Sequence, residues 1–355
     1  MYLDHYQGDS KIEPVAIGGY TTLEKTYSYN PTPDTLVAMK KDHFVKGVQT
    51  NIWTEYLYNV DLVEYRMYPR VLALSEIGWT NVDRKNFDDF ARRINNAYVR
   101  LDEHAVNYHI PQPEQPNGSC NFVAFVDSTS LEFKTTRPVK MVYTLDGTEP
   151  TAQSAEYTAP LTFTETTTLK IASALPSGKL SPVRTIQVEK QALAPAKEVA
   201  KTTPGLNMQV FDGMYLNVEA LKSANVQPKT TKVIKETKEL REQVQTSESM
   251  RGVKQYAAVA EGYVNIPEDG VYYISSDLEE VWIDGKLLIN NGGEVKRFSR
   301  HDNSVALAKG LHEIKAVFLG HIIGGWPSNW NDGSINLRKA DADKFTKIDG
   351  KMLCH

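Results

Sequence analysis

The chain has 355 residues, with 40 Lys and Arg against 44 Asp and Glu and a formal net charge of −4. Domains usually run about 100–150 residues, so two or three are expected, and the interspersed charges form no basic stripe, which speaks against nucleic acid as a partner. No run reaches the roughly 18 apolar residues that cross a bilayer, and Met1-Tyr2-Leu3-Asp4-His5-Tyr6 lacks the basic-then-apolar order of a secretion signal. The only cysteines, Cys120 and Cys354, lie far apart, so neither a disulfide framework nor a metal cluster is read from them, and no metal or other cofactor is expected.

Residues 1 to about 110 read as mixed α/β. A strand-like stretch runs from Val45 to Trp53. The next apolar stretch, Asp61 to Ile77, is marked at its start by Asn59 and Asp61 and holds Pro69, which removes a backbone donor and so kinks or divides the helix. Phe87, Phe90, Ala91, Ile94, Ala97, Tyr98 and Leu101 then recur at three- and four-residue spacing, which predicts an amphipathic helix with Asp83 as its cap.

Three prolines and a glycine between Ile110 and Gly118 mark a domain boundary. From 119 to 189, short β-prone runs such as Val139–Leu145 and Thr167–Ala172 are separated by turn signals including Asp146-Gly147, the pattern of a small sandwich. Residues 190–204 read as a linker. A second β-rich domain follows over 205–340, clearest in Ala257 to Ile266 and Gly310 to Leu319, with turns at Pro267-Glu268-Asp269-Gly270 and Asp284-Gly285. Lys229 to Arg251 is charged without a clean apolar face and reads as a long loop with local helix.

Chemistry is concentrated in Gly47-Val48-Gln49-Thr50-Asn51-Ile52-Trp53-Thr54-Glu55. On a strand, Trp53 and Glu55 share one side, an indole beside a carboxylate. Such a pair suits a sugar, whose apolar face packs on the indole while the carboxylate accepts hydroxyl hydrogens. The plain alternative is a core tryptophan next to a solvated glutamate.

This stretch, with Tyr65-Arg66-Met67-Tyr68-Pro69-Arg70 through Ile77-Gly78-Trp79, resembles the last barrel strand and following helix of glycoside hydrolase family 20 β-N-acetylhexosaminidases. Tyr2-Leu3-Asp4 resembles the family's Tyr-x-Asp on the seventh strand, and Pro14 to Gly19 through Tyr27 to Pro31 the loop after it. The resemblance implies a retaining enzyme acting on terminal non-reducing β-linked N-acetylglucosamine or N-acetylgalactosamine, with the substrate's acetamido oxygen as nucleophile. It implies Tyr2 as the catalytic residue that positions this oxygen. Asp4 and Glu55 would bind sugar hydroxyls and Trp53 would wall the pocket. The family's adjacent Asp-Glu pair, which includes the general acid, is expected upstream of Met1; Asp88-Asp89 on a helix and Glu279-Glu280 in the distal domain do not replace it. A (β/α)8 barrel of around 250 residues needs eight strands, and two are expected here. The chain alone is therefore expected to be inactive and to associate with itself or with the missing barrel portion.

Val142-Tyr143-Thr144-Leu145-Asp146-Gly147-Thr148-Glu149-Pro150 resembles the immunoglobulin-like module that follows the barrel in chitobiase-type enzymes. Glu261-Gly262-Tyr263-Val264 with Val281-Trp282-Ile283-Asp284-Gly285-Lys286 resembles the protective-antigen-type sandwich. Some members of that family bind sugars through calcium held by two consecutive aspartates; here the place reads Ser276-Asp277-Leu278-Glu279-Glu280, which breaks the pair. Trp326 and Trp330 are expected to stack on a glycan or to plug the end of the sandwich. The fold class expected is thus multidomain, a partial TIM-barrel segment over 1–110 followed by two β-sandwiches. The competing function is a non-catalytic glycan-binding or scaffolding protein. By resemblance alone the origin is periplasmic or extracellular.

Overall fold

The computed structural model describes residues 1–116, 118–241, 255–291, 301–320, 322–323, 326–327, 332–348 and 350–355; for 301, 302, 322, 323, 326 and 327 the description is of the backbone. The chain forms two compact units. The first is Met1–Pro116 with Glu132–Pro160 and Leu169–Thr185, the second Asn117–Leu131 with Leu161–Thr168 and Ile186–His355. Among the described residues no helix is long and apolar enough to cross a membrane.

Helices dominate the start of the first unit: α1 Leu23–Tyr27, α2 Asp34–Ala38, α3 Val60–Met67, α4 Arg70–Trp79 and α5 Phe87–Glu103. Helix α5 follows the predicted period. Phe90, Ile94, Tyr98 and Leu101 are buried on one face and cluster with Tyr27, Ala73 and Tyr108, each large side chain contributing about 1.5–3 kcal/mol by leaving water. Its cap is Asn86, whose side chain accepts from Asp89 N at 2.9 Å. Asp83 sits instead in the separate 3-10 turn Val82–Arg84. Pro69 does divide the preceding helix, because α3 ends at Met67 and α4 begins at Arg70.

Val45 to Trp53 is not a strand. Its one ladder contact is a parallel bridge between Asn51 and Tyr2, and Thr54–Tyr56 turns into a 3-10 helix. A strand persists only when its backbone groups find partners, and among the described residues the segment around Tyr2 is the partner it has. A closed barrel is accordingly not part of this unit, while the β-rich character of the remaining chain is.

The middle stretch supplies seven strands: β1 Phe122–Phe125, β2 Thr129–Leu131, β3 Lys140–Thr144, β4 Ala155–Glu156, β5 Leu161–Phe163, β6 Thr167–Ala174 and β7 Arg184–Lys190. In the first unit β3 pairs antiparallel with β4 and with β6, from Lys140↔Ala174 to Thr144↔Lys170. In the second, β1 runs parallel to β7 and β2 antiparallel to β5.

The distal sandwich is built from β8 Leu206–Asp212, β9 Thr230–Ile234, β10 Tyr256–Ile266, β11 Gly270–Ser276, β12 Glu280–Ile283, β13 Lys286–Asn290, β14 His301–Leu307 and β15 Gly310–Leu319. The short strands β16 Ile322–Ile323, β17 Trp326–Pro327, β18 Asn336–Lys339, β19 Thr346–Lys347 and β20 Leu353–Cys354 complete it. One sheet has the order β13-β12-β15-β10-β8-β9 with β20 added beside β10, and the other β14-β11-β18-β19. Leu206, Val264, Ile274, Val281, Ile314, Phe318 and Leu337 belong to the core between them. The β12–β13 turn has Asp284 at φ 48° and Gly285 at φ 76°, the left-handed pair that a two-residue hairpin needs. Residues 190–204 do not hang free: Ala194 N donates to Ala306 O at 2.9 Å and Lys197 N to Leu311 O at 2.7 Å. Thr230–Ile234 is an edge strand whose alternation is hidden by four exposed polar and β-branched positions. The local helix expected in this stretch is the 3-10 helix Thr237–Arg241, and 242–251 lie outside the described residues.

Candidate functional site

The first residues of the chain are drawn alongside the Asn51 segment by backbone bonds. Leu3 N donates to Asn51 O at 2.8 Å and Asn51 N to Met1 O at 2.9 Å, and Thr50 Oγ1 adds a bond to Met1 O at 2.8 Å. This parallel contact sets Tyr2 and Asp4 beside the run that ends in Trp53 and Glu55. Leu3 is buried, while Tyr2 and Trp53 are 46% and 58% exposed and Glu55 is exposed as well. Asp4 is buried, and no hydrogen-bond donor reaches its Oδ1. Trp53 is extended, at φ −102° and ψ 139°, but Glu55 lies in the 3-10 turn, so strand alternation does not relate their side chains.

Beneath these residues lies a buried polar layer that motif reading missed. Arg70 is fully buried; Nη2 donates to Leu3 O at 2.5 Å and to Arg66 O at 2.6 Å, and Nη1 to Thr21 O at 2.9 Å. Burial and the neighbouring Arg66 charge lower its pKa to about 9. One turn earlier, Arg66 Nη1 donates to Glu13 Oε2 at 2.7 Å and Nη2 to Pro14 O. Glu13 Oε1 lies 3.1 Å from His109 Nε2. Burial works against the Glu13 charge, yet His109 and Arg66 hold the carboxyl down at about 2. Two arginines, one in the last turn of α3 and one in the first turn of α4, therefore clamp the loop from Leu3 to Thr21 by its carbonyls. Part of the signal was available: Arg70, Ala73 and Ile77 follow one another at three- and four-residue spacing on α4, and all three are buried.

His5 was also passed over. Its ring centre is 5.9 Å from that of Tyr2, and Nδ1 lies 3.1 Å from Thr21 Oγ1. Burial lowers its pKa. Gly19 at φ +65° makes room for it, since a Cβ there would meet the imidazole at 2.5 Å.

Of the distal candidates, Trp330 lies outside the described residues. The backbone of Trp326 pairs with Ile323 in the β16–β17 ribbon, and its side chain too lies outside the description. In the broken acidic pair, Leu319 N donates to Glu279 Oε2 and Trp282 Nε1 to Glu280 Oε2, both at 2.8 Å.

Residues 1–82 match the catalytic domain of glycosyl hydrolase family 20, residues 124–185 the chitobiase/β-hexosaminidase C-terminal domain and residues 227–350 the PA14 domain. Over 99% of its length the chain is 48% identical to a β-hexosaminidase of Porphyromonas gingivalis, of which it spans 45%. A β-hexosaminidase of Vibrio furnissii is 35% identical over 22% of this chain and 13% of its own length. Among solved structures, the PA14 domain of the MpAFP antifreeze protein aligns with 46% of this chain and 96% of its own, at 12% identity and a TM-score of 0.30. The chain thus carries, in order, matches to a portion of the family 20 catalytic domain, to the chitobiase-type C-terminal domain and to the PA14 domain, and it spans less than half of the β-hexosaminidase that it resembles over nearly its whole length.

Proposed function

We propose that the chain is part of a retaining β-N-acetylhexosaminidase that removes terminal non-reducing β-linked N-acetylglucosamine or N-acetylgalactosamine, the substrate's acetamido oxygen being the nucleophile. The observation that supports this reading is the parallel bridge from Tyr2 to Asn51, which runs the backbone of Tyr2-Leu3-Asp4 alongside the stretch that leads to Trp53 and Glu55. The Tyr2 phenol donates to the acetamido oxygen and fixes its line of attack. Asp4 and Glu55 accept sugar hydroxyls and Trp53 walls the ring. A buried carboxylate oxygen without a donor is costly, and a sugar hydroxyl provides the donor that Asp4 Oδ1 lacks.

The two parallel segments are read as the last staves of a (β/α)8 barrel. The family's Asp-Glu pair then belongs to the portion of the barrel that precedes them. Large apolar side chains uncovered in this region, among them Phe44, Tyr58 and Trp79 at 68%, 86% and 93% exposure, support a partner surface there. The preceding barrel portion, or a second copy, would cover it. Domains at 1–110, 119–189 and 205–340 go with this reading.

Release of nitrophenol from an aryl N-acetyl-β-glucosaminide by the purified chain tests it. No turnover is expected, because this reading assigns the general acid to a part of the barrel outside these residues. A rate of about 1 s⁻¹ or more, ordinary for enzymes, would overturn the incomplete-site reading.

A further inference from the structure

We propose that the outward face of the larger distal sheet binds an uncharged saccharide chain in a slot between Trp282 and Tyr263, a site that involves neither Tyr2 nor Trp53. The register sets Trp282 of β12 opposite Lys315 of β15, and Lys315 opposite Glu261 of β10. Tyr263 stands opposite Glu313. Alternate residues on a strand share a face, so these five side chains stand together, while Ala260, Val264, Ile283, Ile314 and Ala316 of the same strands point into the core. The face opens into a cavity of about 360 Å³, within the roughly 300–1,000 Å³ range of small-ligand sites. Two strand spacings across and two residues along place the backbones of the two aromatic residues about 12 Å apart, a span for more than one sugar ring.

Trp282 is set before any ligand arrives. Its Nε1 donates to Glu280 Oε2 at 2.8 Å, and a pairing irregularity at Val281/Trp282 fixes the strand beneath it. Such bulges re-aim side chains, and an indole already immobilised loses little entropy on binding.

The chemistry of the slot selects the ligand. Lys315 Nζ lies 2.9 Å from Glu261 Oε1, so the floor offers ammonium donors and carboxylate acceptors side by side. Two carboxylates against one ammonium disfavour a phosphate backbone, and the central ammonium disfavours a cation. A peptide adding as a strand needs an open edge, whereas β12, β15 and β10 are interior to the sheet. Rings with an apolar face and hydroxyls around the rim satisfy both the aromatic walls and the mixed polar floor.

Isothermal titration of the whole chain with tetra-N-acetylchitotetraose, cellotetraose and a poly-N-acetyllactosamine tetrasaccharide tests the site, alongside Trp282→Ala and Glu313→Gln. At least one saccharide should bind with a Kd of roughly 1 mM or below. Trp282→Ala should then raise Kd at least about tenfold and Glu313→Gln about fivefold. Glu313 is exposed, so its variant reads the site even if Trp282→Ala fails to fold. Failure of all three saccharides to bind at about 10 mM, or binding unchanged by Glu313→Gln and Trp282→Ala, would each overturn the proposal.

Discussion

The Arg70 guanidinium donates to the Leu3 carbonyl oxygen at 2.5 Å, joining two residues 67 positions apart. Through this bond helix α4 holds the tripeptide Tyr2-Leu3-Asp4 in place. Arg70→Met keeps much of the volume but leaves the carbonyls of Leu3, Thr21 and Arg66 without this donor. A loss of about 3–5 kcal/mol is expected in urea unfolding, as for other broken buried charged contacts. Amide exchange of Tyr2, Leu3 and Asp4 should rise with it.

Glu13 gives the first unit an acid limit. Its carboxyl is held at about 2 against an ordinary 4.5, so the folded state favours the ionised form. The stabilisation is complete above pH 4.5 and is lost as pH falls towards 2. Its size is about 3 kcal/mol at 1.36 kcal/mol per unit. Glu13→Gln should lower stability at pH 7 by a similar amount and flatten the fall between pH 4.5 and 2, as followed by urea titration at each pH.

Gly19 is required by the His5 imidazole and by its own backbone. Gly19→Ala combines a positive φ with a Cβ at 2.5 Å from the ring. It should cost about 1–3 kcal/mol, and His5→Ala on the same background should restore part of the loss in a thermal melt.

Helix α5 is capped by Asn86, not Asp83. Asn86→Ala is expected to cost about 1 kcal/mol, and Asp83→Ala to stay within about 0.5 kcal/mol of the parent, as surface changes do. Urea midpoints of the two variants give the comparison.

Much of the local fold was legible because single elements carry their own pattern. The three- and four-residue spacing from Phe87 to Leu101 marks α5, Pro69 divides α3 from α4, and the apolar runs 257–266 and 310–319 form the ten-pair β10–β15 ladder. Pairing was less legible. Val45 to Trp53 has strand composition, but a strand depends on partners that composition does not name. Residues 190–204 look like a linker because their docking uses backbone groups of Ala194 and Lys197, which any sequence possesses. In the candidate site, Tyr2, Asp4, Trp53 and Glu55 stood out as motif residues. Arg66, Arg70, Glu13 and His109 did not, because charged residues are ordinarily solvated. Only Arg70 carried a sign otherwise, in its spacing from Ala73 and Ile77 on α4.

Tyr2, Asp4, Trp53 and Glu55 are proposed to complete one sugar pocket. The most direct measurement is turnover of an aryl N-acetyl-β-glucosaminide by a chimera joining the preceding portion of the Porphyromonas gingivalis relative to this chain at Met1. The account predicts activity that falls at least about 100-fold in both Trp53→Ala and Glu55→Gln. A chimera that turns over equally well with either substitution would contradict it.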